Sequence, residues 1–137
     1  MRYLLDADWA IQVLAGRPEP ATLLEQFIRT DGVAMSWVTV GELYEGAFGS
    51  SDSGQELAIY RRFLRPVTLL NLDDPTVERF ADLRARLRRE GRLIPDLDLL
   101  LGATALQHDL TVLTFNVRHL HRIPGIKIWM TDGAGRP

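Results

Sequence analysis

Three carboxylates are spaced along the chain at the end of an apolar run or near the start of a helical pattern. Asp6 ends the apolar run Tyr3-Leu4-Leu5, Glu42 follows Ser36 by about two helical turns and Thr39 by about one, and Asp98 heads a long apolar, small-residue stretch ending at Leu106. Asn116 closes the run Thr111 to Phe115 in the same way that Asp6 closes the first. Charge this close to apolar sequence needs a partner. If the acids converge they repel: one like-charge pair at about 4 Å costs roughly 4 kcal/mol at an effective dielectric near 20. Such a cluster either takes up protons or binds a cation. The chain has no cysteine and three histidines with no metal-binding spacing, so oxygen ligands favour Mg²⁺, with Mn²⁺ as a substitute. The chemistry open to that arrangement is hydrolysis of a phosphate ester by a metal-activated water.

Each acid also has a structural explanation. Thr39-x-x-Glu42 fits a capping box, with Glu42 bonded back to the Thr39 backbone. Asp8 and Asp96 fit plain N-caps, as does Asp74 before Pro75. Asp98 would then gain only from the positive end of its helix. Asp6 resists such an account, because an acid ending a buried strand caps nothing within that strand. His119 and His121 read as surface loop residues, and His108 as the end of its helix.

The elements that must position these groups alternate. Strands are expected over 2–6, 33–37, 67–72, 111–115 and 126–129. Helices are expected over about 9–15, 18–29, 39–47, 54–64, 74–90 and 97–108, with Gly16 and Gly91 as stops and Pro18 and Pro75 near starts. On the long helix, Val77, Phe80, Leu83 and Leu87 are expected to face inward. This alternation predicts an α/β domain with a central, mostly parallel five-stranded sheet covered on both faces. Ligands in such sheets gather beyond the carboxyl ends of the strands, where the strand order switches. Asp6, Glu42 and Asn116 are expected at that edge; Asp98 joins them only if its helix starts there. One domain is expected over 1–132, with 133–137 a frayed tail.

Composition excludes several classes. A chain of 137 residues without cysteine has no disulfide framework, thiol nucleophile or thiolate metal site. Its apolar stretches are too short to span a bilayer, and its start, MRYLLDAD, is too soon acidic for a signal peptide. A cytoplasmic location is expected. A net charge of −2 argues against passive coating of nucleic acid but not against a nuclease.

LLDAD near the start, Ser36-x-x-Thr39-x-x-Glu42-Leu43, DLLLGATAL from Asp98 to Leu106 and TVLTFN from Thr111 to Asn116 together resemble the PIN-domain ribonucleases. Length and start are similar to the toxins of VapBC toxin–antitoxin pairs. The resemblance runs from Tyr3 to about Trp129. It implies a PIN-like three-layer sandwich and Mg²⁺-dependent RNA cleavage without a covalent intermediate. Asp6 and Asp98 would be the main metal ligands, and Glu42 would complete the pocket and help place or deprotonate the attacking water. Asn116 falls on the family's fourth polar position, often Asp, and so adds no charge. Thr114 matches a small hydroxyl position, and Ser36, Thr39, Asp8 and Asp96 would support the site. Gly102 should let its helix approach the sheet closely. A homodimer and a cognate VapB-type antitoxin presenting an arginine to the carboxylates are also implied.

Two other classes compete. Asp6-Ala-Asp8 is similar to the acid pair of haloacid-dehalogenase-type phosphatases. The single lysine, Lys127, however, follows Asp96 and Asp98 instead of preceding a late acidic pair. A non-catalytic interaction module would use the arginines between Arg79 and Arg89, which otherwise read as a solvated face.

Overall fold

Three-residue apolar runs become strands because both of their faces are buried. In the first strand, β1 (Tyr3–Leu5), Tyr3 and Leu5 point into one apolar cluster and Leu4 into another. The computed structural model describes residues 1–130. After β1 come α1 (Ala7–Leu14), α2 (Pro18–Thr30), β2 (Val33–Ser36), α3 (Trp37–Phe48), α4 (Ser53–Phe63) and β3 (Thr68–Leu70). Then follow α5 (Asp74–Arg89), α6 (Asp96–His108), β4 (Thr111–Leu113), α7 (Val117–Leu120) and β5 (Lys127–Ile128). The five strands form one sheet in the order β3-β2-β1-β4-β5, and every pairing is parallel. The expected frayed tail lies outside the described residues.

The two clusters make three layers. One packs α1 to α4 on the sheet through Trp9, Leu24, Phe27, Val40 and Leu43. The other packs α5 to α7 through Leu83, Leu87, Leu99, Leu120 and Ile123. The chain steps from β1 outward to β3, then returns past β1 to build β4 and β5. The switch in strand order therefore lies between β1 and β4.

Four local expectations need correction. The cap of α1 is Asp6, which accepts from Ala7 N–H, and not Asp8; the helix starts directly from the strand because extended Asp6 can end one and cap the other. The cap of α3 is Ser36, which accepts from Val38 N–H, so this helix starts before Thr39 and no Thr39–Glu42 capping box forms. Asp73, not Asp74, caps α5, and Val77 is exposed. The inward stripe is Thr76, Phe80, Leu83 and Leu87, because Thr76 sits a full turn before Phe80. Finally, 117–120 forms a short helix where a loop was expected.

Gly102 marks a close approach, and the atoms nearest to it belong to Ile123. A Cβ there would lie 2.3 Å from Ile123 Cδ1, so α6 is pressed against the segment after α7. Ile123 is fully buried and has little room to turn. Gly102→Ala should therefore destabilise by up to about 2 kcal/mol, overpacking outweighing the roughly 1 kcal/mol gained in helix propensity. Ile123→Val removes the clashing methyl. The double variant, followed by urea unfolding, should be more stable than the sum of the single changes predicts.

Candidate active site

Register brings the first two groups together. Leu5 pairs with Leu113, so the next residues, Asp6 and Thr114, leave the sheet side by side at the switch point. Asp6 N–H donates to Leu113 C=O at 3.0 Å, and Thr114 Oγ1 donates to Asp6 Oδ2 at 2.8 Å. Asp6 Oδ1 accepts from Ala7 N–H at 2.8 Å. Both oxygens are thus fixed in a residue that is only 9 % exposed.

Asp8, freed from capping, turns across to the end of β4. Its Oδ2 accepts from Phe115 N–H at 3.0 Å and from Thr114 Oγ1 at 3.3 Å. Its Oδ1 is buried with no hydrogen-bond partner among the described residues. A carboxylate oxygen in that state is costly unless something positive faces it.

Helix direction supplies the other side. A helix that leads into a parallel strand begins at the carboxyl edge of the sheet, so α6 starts where Asp6 stands. Asp98 Oδ2 accepts from Asn116 Nδ2 at 3.0 Å, and His119 Nδ1 lies 2.8 Å from the same oxygen. Asn116 N–H in turn donates to Thr114 Oγ1 at 2.9 Å, which links both sides of the cluster. His119, expected on the surface, is half-buried on α7 and belongs to this network. The signal that could have found it is the spacing of Asn116 and His119, one turn of a helix that the sequence reading lacked.

Glu42 lies in the second turn of α3, beyond reach of the cap. Burial raises its pKa, and the charges of Asp98, Asp8 and Glu45 raise it further. Burial pushes Asp6 up to about 7; Asp8 and, more weakly, Glu42 add to this, while hydrogen bonds from Thr114 and Ala7 oppose it. Asp8 is raised by burial first, against its hydrogen bonds, with a contribution from Asp98. The four acids therefore feel one another across the switch point.

Ser36 is buried at the end of β2, on the same edge as Asp6, and Thr39 is buried within α3. Asp96 does not join the site. It is the first residue of α6, exposed, and paired with Arg84 Nε at 2.8 Å; the cap position is Pro95, which offers no side-chain bond. Exposed pairs contribute little, so Asp96→Ala should cost under about 1 kcal/mol in urea unfolding and leave the site's activity unchanged. Lys127 pairs with Asp109 Oδ1 at 2.7 Å and is level with Thr111, the first residue of β4. It stands at the amino edge of the sheet, away from the acids, so the phosphatase reading lacks its cation.

The donor set suits a hard cation. It offers carboxylate oxygens and an asparagine, an orphaned buried oxygen on Asp8, and acids whose ionisation is opposed until positive charge arrives. Among the described residues no three Asp, Glu, His or Cys side chains are grouped so as to hold a metal ion together. That is compatible with Mg²⁺, which retains several waters and uses one or two carboxylates.

Comparison with known proteins agrees with this geometry. The PIN domain family profile matches residues 3–126. The chain is 30 % identical over 129 residues to the tRNA(fMet)-specific endonuclease VapC of Salmonella typhimurium, covering 93 % of this chain and 96 % of that one. It is 29 % identical over 128 residues to ribonuclease VapC2 of Haemophilus influenzae, with the same coverage. Among solved structures, DNA-bound VapBC from Salmonella typhimurium superposes with a TM-score of 0.85 at 29 % identity, covering 94 % of this chain and 97 % of that one. A parallel sheet with acids gathered at its switch point, together with these matches across almost the whole length, establishes that the chain belongs to the PIN-domain family, in its VapC ribonuclease branch.

Proposed function

We propose that the chain is a Mg²⁺-dependent endoribonuclease that acts as the toxin of a type II toxin–antitoxin pair. The observation that carries this reading is the buried acidic cluster at the β1–β4 switch point, with Asp6 held near 7 and one Asp8 oxygen unpartnered. Asp6 and Asp98 would hold the cation. Thr114 and the Ala7 N–H fix Asp6, and Asn116 and His119 fix Asp98, so neither side chain must reorganise on binding. When bound, Mg²⁺ would neutralise the acids, polarise a phosphoryl oxygen and acidify a water. Glu42, half-buried and with its proton affinity raised, is suited to take a proton from the attacking water. Asp8 holds the β4 end in place through Phe115 N–H and Thr114.

The neighbouring VapBC complexes support a VapB-type antitoxin as partner; a homodimer is what the family resemblance implies as the assembly. RNA as substrate puts the activity in the cytoplasm; no described helix is long and apolar enough to cross a membrane.

Metal removal tests the reading. Purified chain should cleave RNA with Mg²⁺, stop with EDTA, and recover when Mg²⁺ or Mn²⁺ is restored. Calorimetry should register Mg²⁺ binding without RNA. Cleavage that persists in EDTA sinks the metal-dependent mechanism.

A further inference from the structure

Phe115 is an exposed aromatic residue on the stretch that links the two sides of the acidic cluster. It lies between Thr114, which bonds Asp6, and Asn116, which bonds Asp98, and its own N–H is held by Asp8. The residue is 54 % exposed, unusual for a phenylalanine beside so ordered a cluster. One face of the ring is covered. It stacks on Trp9 with centroids 5.0 Å apart and planes 11° from parallel. Trp9 is itself 3 % exposed, donates its Nε1–H to Pro20 C=O at 3.4 Å, and meets Trp129 edge-on at 5.8 Å. Trp129 packs edge-on against Phe27, and Phe27 stacks on Tyr3 of β1. The exposed ring is thus the outer end of an aromatic column rooted in the core.

From this arrangement we infer that the open face of Phe115 stacks a base of the RNA next to the phosphate being cut. The inference rests on the ribonuclease reading above and adds the residue that grips the substrate. A flat ring held by a backbone hydrogen bond and a stacked tryptophan loses little freedom on binding. Stacking accepts any base, because every base has a π-face. It also meets a need specific to this chain. The protein carries a net charge of −2 and its site is acidic, so charge attraction alone holds an RNA strand weakly there. The residues on either side of Phe115 bond Asp6 and Asp98, so a nucleotide stacked on the ring has its phosphate within a short reach of the acids. A nucleotide supplies both parts, a phosphate for the cation and a base for the ring.

The test measures binding of a fluorescein-labelled single-stranded RNA containing all four bases, with the Asp98→Asn chain used throughout to hold it uncut. In that background Phe115→Ala and Phe115→Leu should each weaken binding about tenfold, while Phe115→Tyr should retain it. An RNA series with one abasic nucleotide moved along the strand should contain a position that costs about tenfold with Phe115 present. The same lesion should cost nothing further in the Phe115→Ala chain. Full binding by Phe115→Leu would overturn the inference, since apolar area without a flat ring then suffices, as for a protein partner. Equal binding by all variants, or abasic losses independent of Phe115, would also overturn it. The two readings fail separately. RNA cleavage by the native chain without this coupling removes the stacking role alone. Coupling without cleavage leaves the stack in place and removes the nuclease reading.

Discussion

Asp98→Asn should lower RNA cleavage by on the order of a thousandfold, about 4 kcal/mol of transition-state stabilisation, while hardly changing stability. The substitution keeps shape and removes charge. Asn116 Nδ2 and His119 Nδ1 both address Oδ2, and an asparagine oxygen in that position can still accept from them. The stability change should therefore stay under about 1 kcal/mol, the value of an exchanged hydrogen bond or weakened ion pair. What disappears is one of the two charges that the proposed mechanism assigns to the cation. Steady-state cleavage, Mg²⁺ calorimetry and urea unfolding on the same preparation separate these effects. Retained cleavage with weakened folding would assign Asp98 to the scaffold instead.

Asp6→Asn should abolish cleavage as well, but with a large gain in stability in metal-free solution. Below about pH 4 the native carboxyl carries its proton in both folded and unfolded chains, and folding is indifferent to it. As the pH rises from there to about 7, the unfolded chain releases the proton and the folded chain retains it. Stability therefore falls through this window, and above about pH 7 the full penalty is in place. A displacement from 3.8 to about 7 corresponds to up to about 4 kcal/mol. The raised pKa values of Asp8 and Glu42 act in the same direction.

Asparagine at position 6 escapes this penalty. Its oxygen can accept from Ala7 N–H, and its amide can donate to Thr114 Oγ1, whose proton then goes to Asp8. Urea unfolding in EDTA should show the variant more stable than the native chain at pH 8 and equal to it at pH 4. Mg²⁺ should narrow the gap by binding the native chain alone. Identical pH profiles for the two chains would show that Asp6 is not the strained group. Loss of stability at pH 8 would show that its hydrogen bonds outweigh its charge.

The alternation of strands and helices was legible because each element carries its own signal. Tyr3-Leu4-Leu5 and Thr111-Val112-Leu113 are short, apolar and β-prone, and Pro18 and Pro75 sit where helices begin. Signals of one or two residues were less secure. Asp6, Asp8, Ser36, Thr39, Asp73 and Asp74 all have capping chemistry, and neighbours of equal propensity compete. The choice fell to the residue whose backbone was already extended at the end of a strand or loop, as at Asp6, Ser36 and Asp73. Moving the start of α3 before Thr39 released Glu42 from the capping box, so an error in a local boundary concealed a functional freedom.

Residue types and order along the chain determined the kind of chemistry on offer: oxygen ligands, no thiol, and acids at strand and helix ends of an α/β fold. Their meeting was decided by tertiary structure. Asp6 and Thr114 adjoin because β1 and β4 are neighbours in register, and Asp98 reaches Asn116 because α6 begins at the same edge. His119 enters on a helix too short to announce itself, and Phe115 becomes a rigid platform only because Trp9 lies beneath it. Caps and periodicity are satisfied within a turn or two and can be read locally. Strand order, helix direction and stacking between distant residues depend on how the whole chain buries its apolar surface, which no single stretch encodes.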